Sequence, residues 1–456
     1  MKMIYNVEDK PKFGQVIVFA IQQLLAIMAA TLVVPVIIGN DMSPAAALFG
    51  AGIGTLVYVL FTAAKSPVFL GSSFAFLGSM SAAFAGGVSM QLGYLGLIMG
   101  AAFAGLVYVI IAIIVKFVGV NWINRLMPPV VIGPTVAIIG LSLAGNAVGD
   151  LQKGGISDVN GASVANPLLC ILVGVITLIV TMLCSTYGKK MAKLIPFIIG
   201  ILAGYAVAAI FTVIGQATDN LALQIINFSH FSNLVANGVN LNTFIDFPDF
   251  TFLTAIKGAG EISGAYIGTI AMAYIPVAFV VFAEHIADHK NISSIIERDL
   301  LEKPGLHRTL LGDGVGSIVG AIFGGCPNTT YGESVACVAI TRNASVITII
   351  TAAIGAILVS FITPFVAFVN SIPPCVMGGV CMALYGFIAV SGLKMVQKVD
   401  LGRNRNLFVA SAILIAGIGG LSLSFGKITI TSIATALILG IIVNLILSKE
   451  KEEEAE

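Results

Sequence analysis

Charge is scarce in this chain. Only 10% of its 456 residues are Asp, Glu, Lys or Arg, against about 25% in soluble domains. That scarcity excludes an ordinary water-soluble protein. With 58% hydrophobic residues, the chain reads as a polytopic membrane protein. The formal net charge is only +1, so no excess of one sign marks a nucleic acid or another charged partner. Cysteine is equally sparse, and the six present (Cys170, Cys184, Cys326, Cys337, Cys375 and Cys381) show no CxxC or Cys/His spacing. They read as small buried residues, with no disulfide or metal framework. No Ser/His/Asp, HExxH or paired-aspartate arrangement points to an intramembrane enzyme. The polar start, Met1 to Gln15, lacks a small-residue cleavage site, so no cleavable signal peptide is expected. Glycine, by contrast, is abundant at 50 residues, which suits closely packed membrane helices.

A spanning helix needs about 20 apolar residues. The first half offers candidate spans at 14–39, 44–64, 92–117, 128–148, 167–185 and 193–215, with a polar-broken piece at 68–84. A polar stretch, 216–260, contains no long apolar run. The second half offers 262–289, 309–325, a broken piece at 329–343, then 344–369, 374–392, 406–423 and 427–448. The expected architecture is all-α, with fourteen transmembrane segments in two sets of seven. The end, 449–456, reads as a charged, disordered cytosolic tail.

Loop charge gives an orientation. With the N-terminus in the cytosol, all 23 lysines and arginines except Lys153, Lys257 and Lys427 fall on the cytosolic face. The positive-inside rule predicts such a bias, and a miscounted span would have scrambled it. Both termini are therefore expected in the cytosol.

The halves echo each other. Met127-Pro-Pro-Val-Val-Ile-Gly133 and Ile372-Pro-Pro-Cys-Val-Met-Gly378 each open a span. Leu70-Gly-Ser-Ser-Phe-Ala75 matches Tyr331-Gly-Glu-Ser-Val-Ala336 in the broken pieces. Seven is odd, so a repeat of seven spans is inverted. Broken, Gly-rich segments at matching positions of inverted halves point to a transporter's binding site. Non-helical backbone at membrane depth is tolerated only inside protein or beside a wet cavity. The stretch Phe323-Gly-Gly-Cys-Pro-Asn-Thr-Thr-Tyr-Gly-Glu333 fits that description.

Few acids fall inside spans. Glu284 and Asp288, in Ala283-Glu-His-Ile-Ala-Asp-His289, share one helix face. Their plain alternative is a charged helix end. Glu333 follows Gly332 where a half-helix should start. Segments 71–82 and 332–343 would enter from opposite sides, each offering unpaired N–H groups near the midplane. Carboxylate acceptors, backbone donors and the flat faces of Phe74 and Tyr331 suit a planar heterocycle with N–H and C=O edges.

These residues resemble the nucleobase–cation symporter family, also called nucleobase–ascorbate transporters, in its bacterial uracil branch. The likeness rests on Ala29-Ala-Thr-Leu-Val-Val-Pro-Val36, Gly71-Ser-Ser-Phe-Ala-Phe76, Ala283-Glu-His-Ile286, Pro304-Gly-Leu-His-Arg308, Pro327-Asn-Thr-Thr-Tyr-Gly-Glu333, Val338-Ala-Ile-Thr-Arg342 and the Pro-Pro pairs. It runs along nearly the whole chain. It implies a core domain at 14–118 and 262–370, a gate domain at 119–240 and 371–448, and short strands in segments three and ten. By matching position, Glu284 and Glu333 would bond a uracil, Phe74 and Tyr331 would flank it, and backbone at Ala30, Phe74 and Gly332 would complete the contacts. Proton symport across a bacterial inner membrane is implied, with no cofactor, and a homodimer through the gate domain.

Two departures stand out. Asp288 occupies the place where uracil permeases carry His, with His289 beside it. Ser334 and Ala336 replace the Asn and Gly that the wider family favours, leaving Ser334 as the polar candidate there. The base-binding half of the site is intact, and the proton-handling half is rewired. Protonation of Glu284 from outside would remove the desolvation cost of its charge and let the base bind. Asp288 or His289 would share or relay that proton, and Na⁺ is an alternative coupling ion. The rivals are a purine (xanthine-type) symporter on the same fold, since purine branches tend to have Asp there, and an anion transporter of related fold. Two carboxylates facing an anion argue against the second.

Overall fold

Prolines and small polar residues set where the long helices begin. The structure is a computed structural model that describes residues 3–449, apart from 120–121, 123–125, 159–160, 190, 237 and 426–427. Lys2, Arg125, Lys190, Lys427 and Lys451, used in the loop-charge reading, lie outside the described residues, as does the tail beyond Lys449.

Helix α1 covers Phe13–Ile38 and α2 covers Pro44–Phe61, where Ser43 caps the Ala46 N–H and Pro44 fills the first turn. The first broken piece is strand β1 (Leu70–Ser72), a 3₁₀ turn (Phe74–Phe76) and a short helix α3 (Leu77–Ala83). Helix α4 (Met90–Val118) is capped by Ser89. The first Pro-Pro pair opens α5 (Pro129–Ser142), followed at once by α6 (Ala144–Asp150). Helices α7 (Pro167–Tyr187) and α8 (Pro196–Ala217) complete this half, each with proline in its first turn. The polar stretch 216–260 folds as short pieces, among them Ser229–Val235 and Thr251–Ala255.

Helix α9 (Gly264–Ile296) runs a turn or two beyond the apolar window and ends on Glu297 in the left-handed region. Helix α10 (Leu306–Gly324) follows. The second broken piece is strand β2 (Asn328–Thr330) and helix α11 (Gly332–Thr341). The run expected at 344–369 is two helices, α12 (Val346–Ser360) and α13 (Thr363–Ser371). Pro364 disfavours helical backbone just before it. The exposed backbone groups are taken up by the polar stretch: the Asp246 N–H donates to the Phe361 carbonyl and the Thr363 N–H to the Phe244 carbonyl. The second Pro-Pro pair opens α14 (Pro374–Val396). Then come α15 (Asn404–Ile418), a hairpin of β3 (Leu423–Phe425) and β4 (Ile428–Ile430), and α16 (Ser432–Ile446).

The protein is thus a mainly helical, polytopic membrane protein with short strands in both broken pieces. Among the described residues, eight helices, with α5 and α6 taken as one, are long and apolar enough to cross a membrane. Fourteen crossings require α10 and the shorter apolar helices to cross as well. Helix α10 packs on α2 and α4, and α12 packs on α1 and α2, while α14 packs on α5 and α7, and α5 also holds α15.

Glycine lets α2 and α10 touch backbone to backbone. A Cβ added at Gly54 would lie 2.7 Å from the Gly316 carbonyl oxygen, and one at Gly316 would lie 2.7 Å from that of Gly54. Because the obstacle is main chain, no rotamer change relieves it. Gly316→Val is therefore expected to cost about 1–3 kcal/mol or more by overpacking and to lower the melting temperature of the purified protein in detergent. An unchanged melting temperature would show that α2 and α10 do not meet this closely.

Candidate functional site

The site is built on two strands that pair inside the helical body. β1 and β2 pair antiparallel, with Leu70 opposite Thr330, Gly71 opposite Thr329 and Ser72 opposite Asn328. All six residues are buried. Two further bonds extend the ladder: the Ser73 N–H donates to the Pro327 carbonyl and the Tyr331 N–H to the Phe69 carbonyl. The flanks are tied to neighbouring helices. The Leu70 N–H donates to Thr55 Oγ1 at 2.9 Å, the Asn328 N–H to Ser317 Oγ at 3.1 Å, and Asn328 Nδ2 to the Gly50 carbonyl at 3.0 Å. β1 leads into Phe74 and α3, and β2 leads into Tyr331 and α11. The Tyr331 ring lies over Gly71, where a side chain would collide with it, and its hydroxyl donates to the Ser72 carbonyl at 2.7 Å.

A cavity of about 400 Å³ opens beside this strand pair. Glu284, Ala287 and Asp288 line it from one face of α9, as their spacing requires. Thr329, Thr330, Tyr331, Gly332 and Glu333 line it from β2 and α11, and Phe74 and Ala75 from the turn after β1. Three half-buried carboxylates therefore share one space. Thr330 Oγ1 donates to Asp288 Oδ2 at 2.8 Å, so one of the three is anchored to the strand. The first turn of α11 adds backbone N–H groups without an intrahelical partner. The opposite wall is apolar: Val136 and Ile139 from α5, Phe197 from α8, and Leu384, Phe387 and Ile388 from α14. Strong acceptors on one wall and a greasy surface on the other suit a small ligand with one hydrogen-bonding edge.

An adjoining face of α9, about 100° round the helix, carries a second polar group, fully enclosed. His285 Nδ1 lies 2.6 Å from Asp313 Oδ2, and its Nε2 lies 3.0 Å from Thr309 Oγ1. His289 Nδ1 donates to the His285 carbonyl at 2.8 Å. A carbonyl can only accept, so in a neutral ring Nε2 is left to accept from the Tyr58 hydroxyl, 2.6 Å away. The two imidazoles stack with centroids 4.0 Å apart. All these side chains are buried.

Of the residues singled out in the sequence, Glu284, Asp288, Glu333, Phe74, Tyr331 and Gly332 come together on the cavity. Ala30, Ser334 and His289 do not line it. Helix α1 contributes Ala26 instead, one turn before Ala30. Ser334 faces inward, accepting from the Phe69 N–H at 3.0 Å and from the Gln23 side chain. His289 belongs to the enclosed group behind α9. Sequence reasoning passed over Thr330 as a partner of Asp288, although it stood inside the Asn-Thr-Thr-Tyr run. It also passed over the apolar wall, because Val, Leu and Phe in apolar helices carry no distinguishing signal.

The strand pair, the polar cavity inside a membrane-spanning body and the apolar facing wall define a membrane permease. A family model described as the Permease family matches residues 14–425. Uracil permease of Bacillus caldolyticus is 39% identical over 453 residues, covering 98% of this chain and 95% of that one. Uracil permease of Escherichia coli (strain K12) is 35% identical over 443 residues, covering 97% and 93%. The chain belongs to the nucleobase–cation symporter (nucleobase–ascorbate transporter) family. Two solved structures share the fold alone. The transmembrane domain of the cyanobacterial bicarbonate transporter BicA aligns at TM-score 0.59 and 13% identity, covering 96% of this chain and 99% of that one. Murine Slc26a9, an anion transporter in the inward-facing state, aligns at 0.64 and 11%, covering 96% and 69%.

His285→Ala would leave Asp313 enclosed without its imidazole. Breaking a buried pair by removing one partner costs about 3–5 kcal/mol. The expected outcome is a large drop in melting temperature and in the yield of folded protein. A variant that melts like the parent would mean that the pair contributes nothing to holding α9.

Proposed function

We propose that the protein is a proton-coupled uracil permease of a bacterial cytoplasmic membrane, working by alternating access. The observation that carries this reading is the meeting of Glu284, Asp288 and Glu333 in one cavity with Phe74 and the start of α11. Relatives named uracil permeases that span nearly the whole chain support the substrate. Uracil presents N–H and C=O groups along one planar edge. Glu284 and Glu333 accept from its N–H groups, the backbone N–H groups at the start of α11 donate to a carbonyl oxygen, and Phe74 and Tyr331 flank the ring.

The proton reading follows from electrostatics. Three carboxylates in one dehydrated space repel one another, and a proton on Glu284 relieves both that repulsion and the cost of burying its charge. In this scheme Glu284 takes a proton from outside, the base binds, and the loaded site turns to the cytosol, where both leave. Asp288, held by Thr330, shares the proton with Glu284 across one helical turn. Na⁺ in place of H⁺ is the alternative for the coupling ion.

The same reading divides the chain into a core of 14–118 and 262–370 and a gate of 119–240 and 371–448, related by an inverted repeat of seven segments. The gate also forms the contact of a homodimer, and both termini lie in the cytosol. A purine such as xanthine is the second reading for the substrate. It draws on Asp288, an acid on the cavity where the uracil branch has histidine.

Labelled uracil uptake into proteoliposomes, with and without a pH gradient and with xanthine as competitor, tests the scheme. Uptake should follow the gradient and resist xanthine. Glu284→Gln should abolish gradient-driven accumulation, and if accumulation survives that substitution the proton role is wrong. Glu333→Gln keeps the shape but loses a charge-assisted bond of about 1.5–3 kcal/mol. It should raise the uracil concentration for half-maximal uptake about 10- to 100-fold, whereas an unchanged value would remove Glu333 from the site.

A further inference from the structure

A second cavity of about 320 Å³ lies on the other side of Phe74. We infer that it is a docking station for the same planar heterocycle, held there before it reaches the carboxylates. The inference rests on the nucleobase reading above.

Among the described residues, only Phe74 and Ile139 line both cavities. The wall between them is therefore about one side chain thick. Ile139 is 3% exposed, and the Phe74 ring meets Tyr385 edge-on with centroids 6.3 Å apart. The two spaces open in different directions. Exposed Lys193 and Ile340 line the mouth of the first, and exposed Ser81 and Asn146 the mouth of the second. A ligand passing between the mouths must pass Phe74.

The chemistry of the second cavity fits a neutral, planar, hydrogen-bonding ligand. Its polar side chains are hydroxyls and one amide, with Asn146, Ser81 and Ser432 on its walls, and among the described residues no acid or base lines it. The Asn146 amide can donate and accept side by side, which matches adjacent N–H and C=O groups on a heterocycle. The Phe74 ring supplies an aromatic surface to both spaces. A volume of about 320 Å³ is at the lower end of the range for small-molecule sites. Without carboxylates, holding the ligand here needs no proton, unlike at Glu284. Occupancy of the station is therefore independent of pH between 6 and 8.

The test uses Ser81→Cys in the full-length purified protein, with N-ethylmaleimide and uracil as probes. Modification of position 81 is followed by mass spectrometry of its peptide, so the native cysteines do not interfere. Uracil should slow modification at least threefold, equally at pH 6 and pH 8, and should still do so when Glu333→Gln is added. Adding Asn146→Ala to that double variant should remove the protection. Absence of protection in Ser81→Cys, or its loss with Glu333→Gln, overturns the station, the latter because only the main site was being occupied. Ser432→Cys on the facing wall is a second reporter if the first variant folds poorly. Uracil uptake by the unmodified protein is measured alongside: uptake without protection overturns the station alone, and loss of both overturns the nucleobase reading with it.

Discussion

The pairing of β1 with β2 is the constraint on which the rest depends. A backbone N–H or carbonyl left open in an apolar interior costs several kcal/mol. Six buried residues in extended conformation would be untenable there singly. Paired to each other and tied to Thr55, Ser317 and Gly50, they become affordable in one geometry only. That geometry then dictates the site. It brings Phe74 and the start of α11 to one cavity, and it lays the Tyr331 ring across Gly71, where any side chain would block it. The close contact of α2 with α10, made by Gly54 and Gly316, belongs to the same system, because Asn328 reaches across to the Gly50 carbonyl between those helices.

Helix α9 holds two different chemistries on two faces. Glu284 and Asp288 meet the cavity, while His285 and His289 meet Asp313, Thr309 and Tyr58 behind it. The rear group fixes the rotation of the helix about its own axis. A slip of one residue in one direction would put Glu284 and Asp288 into the closed pocket, and in the other direction Ile286 and Lys290, so either slip leaves Asp313 without its imidazole. The histidine beside Asp288 is thus accounted for by its partners behind the helix, and Thr330 is the group that Asp288 itself meets.

Much of this was legible in the residues, and the parts that were not have physical reasons. Apolar runs, two of them opened by the Pro-Pro pairs, located most of the long helices to within a few residues. The i, i+4 spacing put Glu284 and Asp288 on one face for a local reason. The inward turn of Ser334 was not legible. It depends on Phe69 and Gln23, both more than 250 positions away in sequence. The break between α12 and α13 was partly legible in Pro364, but what stabilises it is backbone of residues 244–246, drawn from the stretch that read only as polar. The facing wall of the cavity was invisible, since apolar residues on α5, α8 and α14 look alike whether they face lipid, a neighbour or a ligand.

That apolar wall bears on how a carrier of this kind can move. Apart from Lys193 at the mouth and Ser391 on α14, the cavity's side-chain hydrogen-bonding groups come from α9, β2 and α11, while α5, α8 and the rest of α14 contribute hydrocarbon. Directional bonds resist sliding, because each must break before the next can form. Apolar contact is non-directional and depends mainly on area removed from water. A ligand bonded to the first wall can therefore travel past the second without losing a hydrogen bond on the way. Among the described residues, the two that line both cavities, Phe74 and Ile139, are apolar as well. The division between the walls thus keeps the directional bonding groups on one side of the cavity and non-directional apolar surface on the other.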